Sequence, residues 1–255
     1  MLDHPILSQR YFFPHPGRPS RGAWEVTTDD GHCLVCFREV HPANHFTVVY
    51  YHGNGETVAD HLPSPAHQWL ALGVNLVIVS YRGYGDSGGT PQLARMLSDV
   101  QPVFASLATP ASRLVVFGRS LGSLYATEFV HRYPQVAGLI LESGIADPLE
   151  RVLLRALPDE LGGTAPELRA HVDQHLNQQR KLAGYPGPIL VMHALGDSLV
   201  DASHAQRNHD WSTGEKRLVL FDRGDHNTIL AANQQRYFQE VADFLQRCRK
   251  PDCEE

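Results

Sequence analysis

Residues Gly118-Arg119-Ser120-Leu121-Gly122 stand between the apolar run Leu114-Val115-Val116-Phe117 and a helical pattern running from Ser123 to Val130. A G-x-S-x-G spacing between a strand and a helix demands a sharp, strained turn, and such a turn leaves no room for a Cβ two residues before or after the serine. The departing helix begins at the serine itself, so its orphan N–H groups and positive dipole end face the place where an oxyanion would form. The pattern predicts that Ser120 is a nucleophile at the edge of a sheet.

A serine hydroxyl is a poor nucleophile until a base takes its proton. Fifteen histidines are present, and position selects one. Lys216 to Phe221 reads as a strand, and the loop Asp222-Arg223-Gly224-Asp225-His226-Asn227 follows it, which places His226 at a strand's carboxyl end. A carboxylate at another such end would hold the imidazole tautomer and stabilise the imidazolium. Asp197, just beyond the strand Pro188 to His193, is the favoured acid, and Glu142, which ends the strand after the nucleophile helix, is its competitor.

Two further loops carry short motifs. The strand Thr47 to Tyr51 ends in His52-Gly53-Asn54-Gly55-Glu56, and the strand Leu76 to Val79 leads into Ser80-Tyr81-Arg82-Gly83-Tyr84-Gly85-Asp86-Ser87-Gly88. With these motifs the chain resembles the α/β-hydrolase family from about Trp24 to Cys248, and within it the small Bem46-like serine hydrolases. The order Ser120, Asp197, His226 matches the family's order of nucleophile, acid and base. The resemblance also implies that the backbone N–H groups of Asn54 and Leu121 form the oxyanion hole, and it favours Asp197 over Glu142, because Gly-Asp at the end of the penultimate strand is the commoner family pattern.

Read coarsely, the chain opens with a proline-rich arm, Pro14 to Pro19, expected to lie extended on the surface. Strands at 24–27 and 33–39 are joined through Asp29-Asp30-Gly31, a hairpin signal. Strands near 47–51, 74–80, 113–117, 136–142, 188–193 and 216–221 then alternate with helices near 64–72, 91–107, 121–132, 203–210 and 228–247. Such alternation predicts an α/β fold: a mostly parallel twisted sheet with an antiparallel N-terminal hairpin and helices on both faces. Residues 1–255 are expected to form a single α/β-hydrolase domain.

The segment 146–185 interrupts the alternation. One helical pattern in it aligns Leu149, Val152, Leu153, Ala156 and Leu157, and a second aligns Leu168, Val172, Leu176 and Leu182, with Thr164 and Glu167 as a capping box. Members of the resembled family place a cap over the serine at this point, which would make Leu153 and Leu176 substrate-binding residues. The alternative is that both helices pack on the sheet, since amphipathicity does not say what an apolar face covers.

A net charge of −6 without a basic stripe gives no footprint for nucleic acid. No run approaches the ~18 apolar residues of a transmembrane helix, and Met1 to Phe13 lacks both a basic start and a continuous apolar core; a cytoplasmic location is expected. Cys33 and Cys36 lie three apart on a strand and face opposite sides, and Cys248 and Cys253 read as surface thiols. His52 and His193 read as packing and hydrogen-bonding residues, and Arg119 as a structural donor around the turn. No metal and no cofactor is expected. The function that follows is cleavage of a small-molecule ester or thioester through an acyl-enzyme. A peptidase or amidase using the same residues, or a ligand-binding protein with a slow triad, are the alternatives.

Overall fold

The computed structural model describes residues 1–249. Eight strands form one sheet: β1 (Ala23–Thr27), β2 (Cys33–Glu39), β3 (Thr47–Tyr51), β4 (Asn75–Val79), β5 (Leu114–Arg119), β6 (Gly138–Glu142), β7 (Ile189–Ala194) and β8 (Lys216–Phe221). Their spatial order is β1-β2-β4-β3-β5-β6-β7-β8. β2 pairs antiparallel with both β1 and β4, and every later pair is parallel. This is the α/β-hydrolase architecture that the alternating pattern and its opening hairpin predict.

The helices are α1 (Pro5–Tyr11), α2 (Val58–His61), α3 (Pro65–Ala71), α4 (Val100–Leu107), α5 (Gly122–Arg132), α6 (Pro148–Leu153), α7 (Ala165–His175), α8 (Gln178–Ala183), α9 (Ser203–Trp211) and α10 (Ile229–Cys248). A strand covered on both faces has no polar side, which is why the central strands read as unbroken apolar runs. In β3, Val49 and Tyr51 enter the core beneath α1, α4 and α5, while Val48 and Tyr50 enter the one beneath α3 and α10. Helix α5 is buried from Gly122 through Val130, so the element leaving the G-x-S-x-G turn is the central helix of the fold. Among the described residues no helix is long and apolar enough to cross a membrane.

Three features differ from expectation. The N-terminus folds into α1, with Pro5 in its first turn and the ring of His4 accepting a hydrogen bond from the Ile6 amide at 3.2 Å; the i, i+4 pair Leu7 and Tyr11 is buried. The Asp3 carboxylate accepts the Ala94 and Arg95 amides and pins this helix to the body. Cys248 is a core residue against Phe244, where burial pushes its thiol up to about 12; Cys253 lies outside the described residues. Within 146–185, the Thr164–Glu167 capping box forms at the start of α7, but the second apolar face is shared between α7 and α8, separated at the Asn177 cap.

The leucines of that segment divide between the core and the surface. Leu168, Val172, Leu176 and Leu182 are all buried in the main core. Leu149, Val152 and Ala156 are buried too, whereas Leu153 is 44% exposed and Leu157 58% exposed. The reason is that α6 stops at Leu153, before Pro158, so the helical face drawn through Leu157 does not exist. Leu176→Ala should therefore lower stability by about 2–5 kcal/mol and Leu153→Ala by about 0.5 kcal/mol or less, measured by urea unfolding. The opposite ranking would place α7 off the core.

Candidate active site

The turn after β5 has the strain that its two glycines imply. Ser120 has φ of +50°, in the left-handed region, a conformation that costs a non-glycine residue about 1–3 kcal/mol and persists only where neighbours hold it. A Cβ on Gly118 would come within 2.6 Å of the Ala126 side chain, and one on Gly122 would overlap the Tyr51 carbonyl. The Ser120 amide donates to the Glu142 carbonyl at 2.9 Å, tying the turn to β6.

His226 and Asp197 meet this serine from the ends of β8 and β7. His226 Nε2 lies 2.9 Å from Ser120 Oγ, and His226 Nδ1 lies 2.7 Å from Asp197 Oδ2. With Asp197 ionised, Nδ1 carries the proton and donates, leaving Nε2 free to accept from the hydroxyl. Asp197 Oδ1 accepts the Leu199 and Val200 amides at 2.9 and 2.8 Å, and the His193 ring reaches Oδ2 at 3.3 Å. Burial would raise the Asp197 carboxyl, but the hydrogen bonds from His193, His226 and Val200 outweigh it and hold the group well below the usual carboxylate range. Glu142 is engaged elsewhere, accepting from Arg119 Nε at 2.9 Å and from the Tyr237 hydroxyl.

The backbone N–H groups of Leu121 and Asn54 donate no hydrogen bond to any described residue, and both residues line the same cavity as Ser120 and His226, about 220 Å³ in volume. The Asn54 side chain faces the other way: its amide NH₂ donates to the Tyr11 carbonyl, and its oxygen accepts the Phe13 amide at 3.1 Å and the Tyr84 hydroxyl at 2.6 Å. Asn54 thus fastens the end of α1 over the site, and Tyr11 and Phe13 become cavity walls. Larger depressions of about 520 and 650 Å³ exist, but neither holds a hydroxyl hydrogen-bonded to a histidine. Among the described residues no cluster of three or more His, Cys, Asp or Glu could hold a metal ion.

Leu153 and Leu176 are not brought to this cavity. Leu153 lines a separate apolar depression with Leu149, Pro158 and Leu168, and Leu176 is fully buried in the core. From 146–185 the cavity receives Arg151 and Arg155 instead, with Ile145 just before the segment. The arginines and the two aromatic residues of the N-terminal segment carried no motif. The only sequence signal available was the Leu7–Tyr11 spacing after Pro5, which marks a helix and not a site.

Arg119, beside the nucleophile, is engaged in a buried network. Besides Glu142 it donates to Glu56, to the His226 carbonyl at 2.7 Å and to Asn227 Oδ1 at 3.1 Å. Glu56 also accepts the Gly53 amide at 2.7 Å, so the H-G-N-G loop, the elbow and the His226 loop share one guanidinium. Burial would raise the Glu56 carboxyl, but Arg119 and His61 outweigh it and hold the group well below its ordinary range. Because its folded value lies below its unfolded one, the stabilisation is complete above the unfolded pKa of about 4.3 and is lost as pH falls toward the folded value. Glu56→Gln should cost about 3 kcal/mol near neutrality, and the gap from wild type should narrow progressively below about pH 4. Urea unfolding across that range checks it; a gap independent of pH would mean the ion pair contributes nothing.

Comparison with known proteins agrees with this architecture. A family model described as serine aminopeptidase, S33, matches residues 42–183. The α/β hydrolase domain-containing protein 17C of Xenopus tropicalis is 24% identical over 223 residues, spanning 86% of this chain and 67% of the relative. The uncharacterized protein YfhR of Escherichia coli (strain K12) is 24% identical over 214 residues, 80% of this chain and 72% of the relative. Among solved structures, Pyrococcus furiosus esterase Pf2001 superposes with a TM-score of 0.73 at 19% identity, covering 92% of this chain and 98% of that one. Esterase RhEst1 from Rhodococcus sp. ECU1013 gives 0.68 at 19% identity, covering 90% and 100%. The family match spans more than half of the sequence, and the chain belongs to the serine aminopeptidase S33 family of α/β-hydrolases.

Proposed function

We propose that this member of the S33 family of α/β-hydrolases is a serine hydrolase that cleaves carboxylic esters or thioesters through an acyl-enzyme. The observation that carries the proposal is the unbroken relay from Ser120 Oγ through His226 to Asp197, at 2.9 and 2.7 Å. Ser120 attacks the acyl carbon while His226 Nε2 takes its proton, and Asp197 stabilises the imidazolium without accepting the proton itself. The carbonyl oxygen becomes an oxyanion held by the amides of Leu121 and Asn54, which donate to no other described residue and so are spared reorganisation during the reaction. His226 then protonates the leaving alcohol or thiol. Water, activated by the same imidazole, attacks the acyl-enzyme and frees Ser120.

Ester chemistry is favoured over the aminopeptidase activity in the family's description by what surrounds the serine. An aminopeptidase must hold a free α-ammonium, which calls for a carboxylate; among the described residues the cavity is lined by arginines and by no aspartate or glutamate. Both structural neighbours named above are esterases, which favours the same reading. The whole chain is proposed to be one domain in which α6 and the turn after it supply a single wall of the pocket, with α7 and α8 packed in the core.

Hydrolysis of p-nitrophenyl butyrate tests the assignment. Ser120→Ala and His226→Ala should each lower kcat by about six orders of magnitude, and the double variant should be little worse, because members of one catalytic unit fail together. Asp197→Asn should cost about four orders of magnitude, and Glu142→Gln far less. Activity retained in Ser120→Ala would eliminate this mechanism, and a greater loss in Glu142→Gln than in Asp197→Asn would move the acid.

A further inference from the structure

The cavity that holds Ser120 contains cationic groups which neither the fold nor the proposed chemistry uses. Arg119 is neutralised by Glu56 and Glu142, but Arg151 and Arg155 are not neutralised in this way. Arg151 is half-buried, 17% exposed at its side chain, and its one carboxylate neighbour, Glu150, lies 3.9 Å away, beyond hydrogen-bonding range. Glu150 is itself 48% exposed and also faces the His204 ring at 3.4 Å. Arg155 has no carboxylate in ion-pair range among the described residues; its guanidinium lies over the Phe13 ring, 5.2 Å from the centroid, and stacking leaves the edge donors of a guanidinium free.

Tyr11 completes the arrangement. Burial pushes its phenol up to about 12, while the positive fields of Arg151 and Arg155 pull against that rise. The hydroxyl therefore keeps its proton at neutral pH and donates to no described residue, in a cavity that both arginines also line. Two forked cations and a tyrosine lining one pocket match a planar or tetrahedral oxyanion with several acceptor atoms. The same pocket presents the acyl-transfer groups Ser120 and His226.

We infer that the substrate of this site is an ester or thioester bearing a terminal anionic group, a carboxylate or phosphate, which Arg151 and Arg155 bind while the acyl carbon sits at Ser120. The inference rests on the hydrolase reading above and narrows it to a class of substrate. A cavity of about 220 Å³ suits a short chain between the two ends.

Three p-nitrophenyl esters of matched length separate the possibilities: the hexanoate, which is neutral, the mono-adipate, and the phosphonate-terminated analogue. Wild type should prefer an anionic ester by about tenfold to a hundredfold in kcat/KM, the range that charge-assisted hydrogen bonds supply. The larger of the two anionic preferences tells carboxylate from phosphate. In Arg151→Gln/Arg155→Gln the ratio of anionic to neutral kcat/KM should fall toward one, and Arg151→Lys/Arg155→Lys should restore part of it. Equal rates on all three esters in wild type, or a preference that survives the double glutamine variant, overturn the inference. Binding of monomethyl adipate, its phosphonate analogue and methyl hexanoate to Ser120→Ala by calorimetry reads the anion site without turnover. An anionic ligand bound about tenfold tighter, and only with the arginines present, supports the anion site by itself, so that a failure of the hydrolase reading is told apart from a failure of the site. No difference overturns it even if that reading holds.

Discussion

The guanidinium of Arg119 is the interaction on which the site end of the sheet depends. Residue 119 is the last of β5, paired in register with Glu142 at the end of β6. From there it makes four hydrogen bonds, to Glu142, Glu56, the His226 carbonyl and Asn227. Three loops that would otherwise move independently are held to one planar group. Removing a charge from water is costly, and it is tolerable here because the buried cation is matched by two carboxylates and hydrogen-bonded throughout. The consequence is geometric: His226 is held at its own carbonyl, so its ring is delivered to Ser120 by a fixed backbone.

The strained serine belongs to the same economy of position. A φ of +50° at Ser120 is unfavourable in isolation, yet it turns the hydroxyl out of the sheet and leaves the Leu121 amide free at the start of α5. Both glycines are fixed by close backbone and side-chain approach, and the buried helix α5 cannot retreat to relieve the turn. Interiors packed this tightly transmit strain without absorbing it. A second serine at positive φ, Ser143 with φ of +48°, ends the neighbouring strand, and its amide donates to the Met192 carbonyl of β7.

Much of this was legible in the amino-acid order because the information is local. Strand and helix periods, the glycines around Ser120, and the strand ends preceding Asp197 and His226 depend on neighbours in sequence, and the observed strand bounds fall within a few residues of the reading. What was not legible depends on tertiary placement. Helix α1 is short and lacks a conventional side-chain cap, and its weight in the fold comes from the burial of Leu7 and Tyr11 against distant elements. The 146–185 segment shows the limit of amphipathicity: Leu176 and Leu153 sit on similar patterns, yet one is buried in the core and the other is nearly half exposed. Arg151 and Arg155 are ordinary surface-helix residues by sequence, and only the placement of α6 and of the turn after it makes them part of the cavity that holds the serine.

The most direct measurement of the central claim is covalent labelling of the native protein with a fluorophosphonate, followed by intact-mass analysis and peptide mapping. The relay at Ser120 predicts one adduct per chain, on the peptide containing Ser120. Labelling should slow sharply in His226→Ala and vanish in protein unfolded with urea before exposure, because reactivity belongs to the assembled geometry and not to the serine alone. Absence of an adduct on the native protein, or an adduct mapped to another residue, would contradict the assignment of Ser120 as the nucleophile.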